Sequence, residues 1–152
     1  LTLSWQPDQV TFSCSGRTIT GQRLDHQFPD YRRILAARLP QGQGRQVPVD
    51  RVAFRRAVAE GPMSELTREQ DGQRYQVSVL TVDSSGSLSL AGAEAGPDSL
   101  TIGVNREFLL QALAAGHDEQ LTLELDGPIR PLAIRSPERA GSFSILMPVR
   151  LT

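Results

Sequence analysis

The sequence predicts an α+β domain built on a duplicated β-α-β-β unit, with two helices packed on antiparallel sheet. Three observations carry that expectation. Val47–Gly61 aligns without a gap on Ile102–Gly116, so the chain repeats itself. Both copies place a capping residue, Asp50 or Asn105, directly before a helical stretch and a glycine after it. Short alternating or apolar runs with turn residues between them follow each copy, as strands of one sheet require.

Taken in order, Leu1–Trp5 and Val10–Ser15 alternate apolar and polar residues around a Gln6-Pro7-Asp8 turn, and Arg17–Leu24 follows Gly16 as a third strand. Asp25–Gly44 carries prolines and glycines and reads as a connector, with Phe28–Leu35 partly ordered over it. Val47–Val49 is a short strand. The side-chain oxygen of Asp50 can then accept from free amides of the first helical turn, and Gly61 sits where a helix stop belongs. The buried stripe is Phe54, Ala57 and Val58, at i, i+3 and i+4. Tyr75–Val82 and Leu88–Ala91 read as strands joined by Ser84-Ser85-Gly86. In the second copy Ile102–Val104 is the strand, Asn105 the cap, Leu109, Ala112 and Leu113 the stripe, and Gly116 the stop. Gln120–Leu125, Leu132–Arg135 and Phe143–Val149 complete the pattern, with Asp126-Gly127 as a turn.

Composition bounds the function. Hydrophobic residues make up 39% and charged residues 22%, as in an ordinary globular protein. The net charge of −1 does not announce a nucleic-acid binder. All 16 basic residues are arginine, the coding bias of a GC-rich genome. The single cysteine, Cys14, has no disulfide partner and reads as a small buried hydrophobe in a reducing compartment. No apolar run approaches the ~20 residues that span a bilayer, and no leader opens the chain, so a cytoplasmic setting is expected. Leu1 falls inside an alternating segment, which reads as a piece of a longer protein.

Catalytic signatures are missing. There is no Gly-x-Ser-x-Gly, no phosphate-binding Gly-x-x-x-x-Gly-Lys and no Gly-x-Gly-x-x-Gly opening a helix. His26 and His117 lack neighbours at ligand spacing and read as loop residues. Glu65, Glu69 and Asp71 lie in a polar stretch where carboxylates are solvated rather than tuned for acid–base work. No enzyme, metal or cofactor is expected.

Two motifs point further. Phe28-Pro29-Asp30-Tyr31-Arg32-Arg33 and Leu146-Met147-Pro148-Val149-Arg150-Leu151 resemble the bacterial sliding clamp, the β subunit of DNA polymerase III. The resemblance implies the DNA-clamp fold. Residues 1–24 would be closing strands of a preceding clamp-like domain, 25–44 a connector, and 45–152 a clamp-like C-terminal domain. It also implies a groove for peptide motifs of clamp-binding proteins. Pro29, Arg33 and Ile34 would come from the connector, Asn105 and Phe108 from the second strand–helix junction, and Pro131 from the following hairpin. Ile145, Met147, Pro148, Val149, Arg150 and Leu151 would come from the last strand. Methionine re-packs around different apolar anchors, which suits such a groove. From pattern alone, Ile145, Met147 and Val149 read rather as one face of a core strand, and Arg32 and Arg33 as solvated loop charges; only the resemblance turns the reading toward a groove. Arg51, Arg55, Arg56 and Arg106 would face DNA, in a non-specific, salt-sensitive contact, or form a solvated surface.

The chain also departs from a ring-forming clamp. Ala59 and Glu60 stand where bulky apolar residues would pack across a subunit joint, and Leu90–Ser99 is too short and rich in Gly and Pro for a long edge strand. A ring dimer is therefore doubtful. Segments Gly21–Phe28, Glu69–Gly72 and Tyr75–Val79 are similar to clamp-like C-terminal halves of actinobacterial MerR-type regulators. The leading expectation is thus a non-enzymatic, peptide-binding module of a MerR-type DNA-binding regulator. The alternative is a fragment of the clamp itself, which confers processivity in replication by encircling DNA.

Overall fold

A computed structural model describes residues 1–24, 30, 32, 44–67, 72–90, 96–139 and 141–151. The chain divides into two compact units, Leu1–Arg33 and Ile34–Thr152.

The first unit is a three-stranded antiparallel sheet of β1 (Thr2–Trp5), β2 (Gln9–Cys14) and β3 (Arg17–Gln22), in that order. Ser15 and Gly16 turn the second hairpin with positive φ (48° and 77°), the region where glycine carries no steric cost. Leu3 pairs with Phe12 and Phe12 with Ile19, so three apolar side chains form one cross-strand row, and all three are exposed. Cys14 is exposed as well, contrary to the expectation of a buried thiol.

The second unit holds the core. It contains β4 (Arg45–Asp50), α1 (Arg51–Glu60), β5 (Ser64–Thr67), β6 (Arg74–Val82) and β7 (Leu88–Leu90), then β8 (Leu100–Asn105), α2 (Arg106–Ala115), β9 (Gln120–Leu125), β10 (Leu132–Arg135) and β11 (Phe143–Leu146). The duplication is visible in the elements themselves: each copy is a six-residue strand running directly into a ten-residue helix. Asp50 accepts from the Ala53 amide at 2.7 Å and Asn105 from the Phe108 amide at 3.2 Å, so both are N-caps.

Two four-stranded antiparallel sheets result. One runs β11-β10-β9-β4. In the other, β6 is central, with β8 along one edge and β5 and β7 sharing the opposite edge. Each half lends its opening strand to the other: β4 pairs with β9, and β8 pairs with β6. Neither half can complete a sheet alone. A single hydrophobic cluster joins both sheets to both helices. Helix α2 buries Leu109, Ala112 and Leu113 as its stripe requires, whereas α1 buries Phe54 and Val58 but leaves Ala57 exposed.

Three further details differ from the sequence reading. β5 is a strand that the polar Ser-Glu-Leu-Thr run did not disclose. β11 ends at Leu146 rather than Val149. Gly61 and Gly116 follow their helices with φ of −77° and −65°, so neither supplies a left-handed stop. Gly61 is instead a close-approach glycine: a Cβ there would overlap the Ala57 carbonyl oxygen.

Candidate functional site

The site forms where the chain leaves β11. Register with β10 (Leu132↔Leu146, Arg135↔Phe143) fixes the last strand. Arg135 pairs with Glu124 of β9 at 2.9 Å and lies 5.1 Å over the Phe143 ring, bracing the strand at its start. After Leu146 the ladder stops, because Pro148 has no amide hydrogen to donate. The chain crosses to the second sheet, where the Val149 amide donates to the Gly103 carbonyl at 2.8 Å.

Opposite this crossing segment stands the first turn of α2. Its cap, Asn105, spends its side-chain oxygen on the Phe108 amide. Phe108, on the outer side of the turn, stays 51% exposed. Tyr75 comes from the start of β6. Between these groups lies a groove of about 480 Å³, lined by Tyr75, Asn105, Phe108 and the run Ile145, Leu146, Met147, Pro148 and Val149. Met147 is 53% exposed. No carboxylate or cation lines the groove among the described residues, so it suits apolar side chains, with an amide and a phenol as its polar groups.

The structure thus brings together Asn105, Phe108, Ile145, Met147, Pro148 and Val149 from the expected set. Pro131 is not part of the lining. It is buried where β10 begins, and the expectation for it fails because the β9–β10 hairpin folds it inward. Arg150 and Leu151 are exposed beyond the Val149–Gly103 bridge and do not line the groove either. Pro29, Arg33 and Ile34 lie outside the described residues. Tyr75 and Leu146 line the groove without having been expected. The signal for Leu146 was its place within the terminal motif, while Tyr75 offered only an aromatic at a strand's beginning.

The proposed DNA face changes more. Arg106 is 8% exposed, and its guanidinium donates to the Gly61 carbonyl at 3.0 Å and to the Ala59 carbonyl. It therefore caps the C-terminal end of α1, where a cation complements unpaired carbonyls and the helix dipole. Arg51, its counterpart in the repeat, donates through Nε to the Asp118 carbonyl at 2.9 Å, just past the end of α2. Each helix thus begins with an arginine that reaches toward the end of the other; Arg106 is spent inside the fold, while Arg51 stays half-buried. Arg56 is exposed but pairs with Glu60 at 3.0 Å. Arg55 is exposed with no described partner.

No helix among the described residues is long and apolar enough to cross a membrane, and none of their His, Cys, Asp and Glu side chains form a group of three or more placed to hold a metal.

Comparison with solved structures closes the question of architecture. The Bacillus subtilis DNA polymerase sliding clamp superimposes with a TM-score of 0.68 at 21% identity, covering 99% of this chain and 41% of that one. The fold is that of the bacterial sliding clamp. The Pseudomonas aeruginosa clamp matches with a TM-score of 0.68 at 22% identity, over 98% of this chain and 42% of its own. The Bartonella birtlesii clamp bound to griselimycin matches with a TM-score of 0.67 at 23% identity, over 98% and 41%. Among curated proteins, the β sliding clamp of Caulobacter vibrioides is 23% identical over 156 residues. That alignment takes in 98% of this chain, which spans 41% of the relative's length. No family model matches. These likenesses overturn the expectation of a MerR-type regulator module: the proteins just named, which match over 98–99% of the chain, are sliding clamps, and the alternative reading is the one they favour.

Proposed function

We propose that this chain is the C-terminal part of a sliding clamp, a processivity factor that encircles DNA in replication and receives short peptide segments of its partners in the groove beside β11. One observation carries the reading: within a clamp fold, the final segment leaves its sheet to wall an uncharged groove with Phe108 and Met147 half exposed. Half-exposed aromatic and thioether side chains in a concave, charge-free site are what apolar peptide anchors need. The Bartonella birtlesii clamp is bound to griselimycin, which makes that compound a second candidate ligand to try on this chain.

The three-stranded sheet of residues 1–24 fits the closing strands of a preceding domain, since its Leu3–Phe12–Ile19 row is exposed among the described residues. Contact with DNA would rest on Arg55 and on the exposed, Glu60-paired Arg56, and would be non-specific and salt-sensitive. At the end of α1, Ala59 and Glu60 are exposed and offer little apolar area to a ring joint. Light scattering on the full-length protein decides whether that joint closes a dimer.

The groove is tested by titrating a labelled short peptide with apolar anchor side chains, and separately griselimycin, against the full-length protein. Saturable binding is expected, and Met147→Ala should weaken it roughly tenfold, the equivalent of one lost apolar contact. Absence of saturable binding by either probe removes the reading.

A further inference from the structure

We propose that Gly103 is the positioning residue of this groove: its missing side chain is the notch that seats the C-terminal segment and thereby builds the groove's wall. The proposal takes its functional meaning from the peptide-groove reading, but its test does not depend on that reading.

Gly103 stands in the middle of β8, between Ile102 and Val104, which are both buried in the core. A glycine there weakens a strand by removing a side chain and adding conformational freedom. The backbone does not call for it, since Gly103 is not among the positive-φ residues. Pairing does not call for it either, because its partner Val79 sits in a regular register running from Val77↔Asn105 to Val82↔Leu100.

The reason lies on the other side. β6 occupies one edge of β8, and the free edge receives the segment after β11 through the bond from the Val149 amide to the Gly103 carbonyl. Leu151 then lies over the glycine's Cα. A Cβ at this position would overlap the Leu151 side chain and come within 3.2 Å of the Val149 carbonyl oxygen. The overlap proper is with the Leu151 side chain, which would have to leave its seat, whereas the Val149 carbonyl oxygen would need to give by only a few tenths of an ångström. Met147, Pro148 and Val149, which wall the groove, belong to this segment. With Pro148 unable to extend the β11 ladder, the Val149–Gly103 bond is the anchor that holds them.

Amide hydrogen exchange of Val149 in the full chain reads the seating directly. Gly103→Ala should speed that exchange roughly tenfold while amides in α2 and β6 keep their protection, because local opening is reported residue by residue. Leu151→Ala alone leaves β8 untouched and should speed it only a few-fold. The double variant should return to the level of Leu151→Ala, since the overlap is then gone. Affinity for the labelled peptide should follow the same order. Unchanged Val149 exchange in Gly103→Ala, or a double variant no slower than Gly103→Ala, overturns the proposal. If Gly103→Ala does not fold, normal Val149 protection in Leu151→Ala overturns it. If exchange behaves as expected but the wild type binds neither peptide nor griselimycin, the seating stands and the peptide reading falls.

Discussion

The two strand–helix modules of the second unit share length, caps and a leading arginine, yet only one borders the groove. In the first, Asp50 caps α1 and the third helical residue is Ala53; in the second, Asn105 caps α2 and the matching residue is Phe108. The first module borders a concavity of similar volume, about 480 Å³, but its lining carries the charged Asp50 and the small Ala53 in place of a phenylalanine. A neutral cap beside a half-exposed phenylalanine makes one wall of the uncharged groove. The two copies share the frame, and the groove lies where they differ. The arginines show the opposite case, in which both copies kept the same residue for the same purpose but not to the same depth.

That last difference gives the largest expected effect. Arg106 is buried and holds two carbonyls at the end of α1, whereas Arg51 is half-buried and its side chain holds one at the end of α2. Replacing Arg106 by Ala removes two charge-assisted hydrogen bonds and the packing of a buried side chain, and should cost about 2–3 kcal/mol. Arg51→Ala should cost about 1 kcal/mol, as water can reach the freed carbonyl. Urea unfolding midpoints at constant m measure both. Equal losses would show that the two reciprocal caps are energetically alike, and that burial does not set their strength.

The same residue marks where sequence reading reached its limit. An arginine in a first helical turn, next to Glu107, looks like a surface cation, and no local pattern tells of carbonyls contributed by a helix end some forty-five residues earlier in the chain. What was legible was local and periodic: the repeat, both caps, the α2 stripe, and strands with a buried face. β5 escaped because all but Leu66 of its residues are exposed, so no alternation records it. β11 was read too long because Val149 continues the apolar alternation while actually pairing with another sheet. Groove residues Ile145, Met147 and Val149 fit a core strand better by pattern alone. Their role emerges only once Pro148 ends the ladder and the chain crosses over.

A middle-sized effect separates capping from binding. Asp50→Ala and Asn105→Ala should each destabilise by about 1 kcal/mol, the ordinary worth of a lost N-cap. Only Asn105→Ala should also weaken the labelled peptide, by several-fold. Phe108→Ala should weaken the peptide about tenfold while shifting stability by under ~0.5 kcal/mol, because a half-exposed side chain gives up little core area. Thermal melts run beside fluorescence titrations sort the two contributions. An Asp50→Ala variant that also lost the peptide would mean the first module communicates with the groove, and the contrast between the copies would fail.

The smallest effect concerns the hairpin turns. In the first half, Asp83 gathers the turn after β6: its Oδ1 accepts from the Ser85 hydroxyl at 2.6 Å and from the Ser85 and Ser87 amides at 2.9 Å each. In the second half, Asp126 only faces Arg130 at 3.4 Å. The Ser85 hydroxyl bond first, then the Ser87 amide, hold the Asp83 carboxyl below its ordinary value of 3.8. Hydrogen bonds to the charged form favour it, so the folded state binds its proton less readily than the unfolded chain. The stability this group adds is therefore fully present above 3.8 and is lost as pH falls through the lower folded value. Asp83→Ala should accordingly differ from wild type in melting temperature by a small, constant amount near neutral pH, and the two curves should converge in the acid limb. Because the turn is exposed, the difference should stay below that of either N-cap variant. A gap that widens on acidification would show that the turn's bonds favour the protonated acid instead, reversing the sign assigned to this half of the repeat.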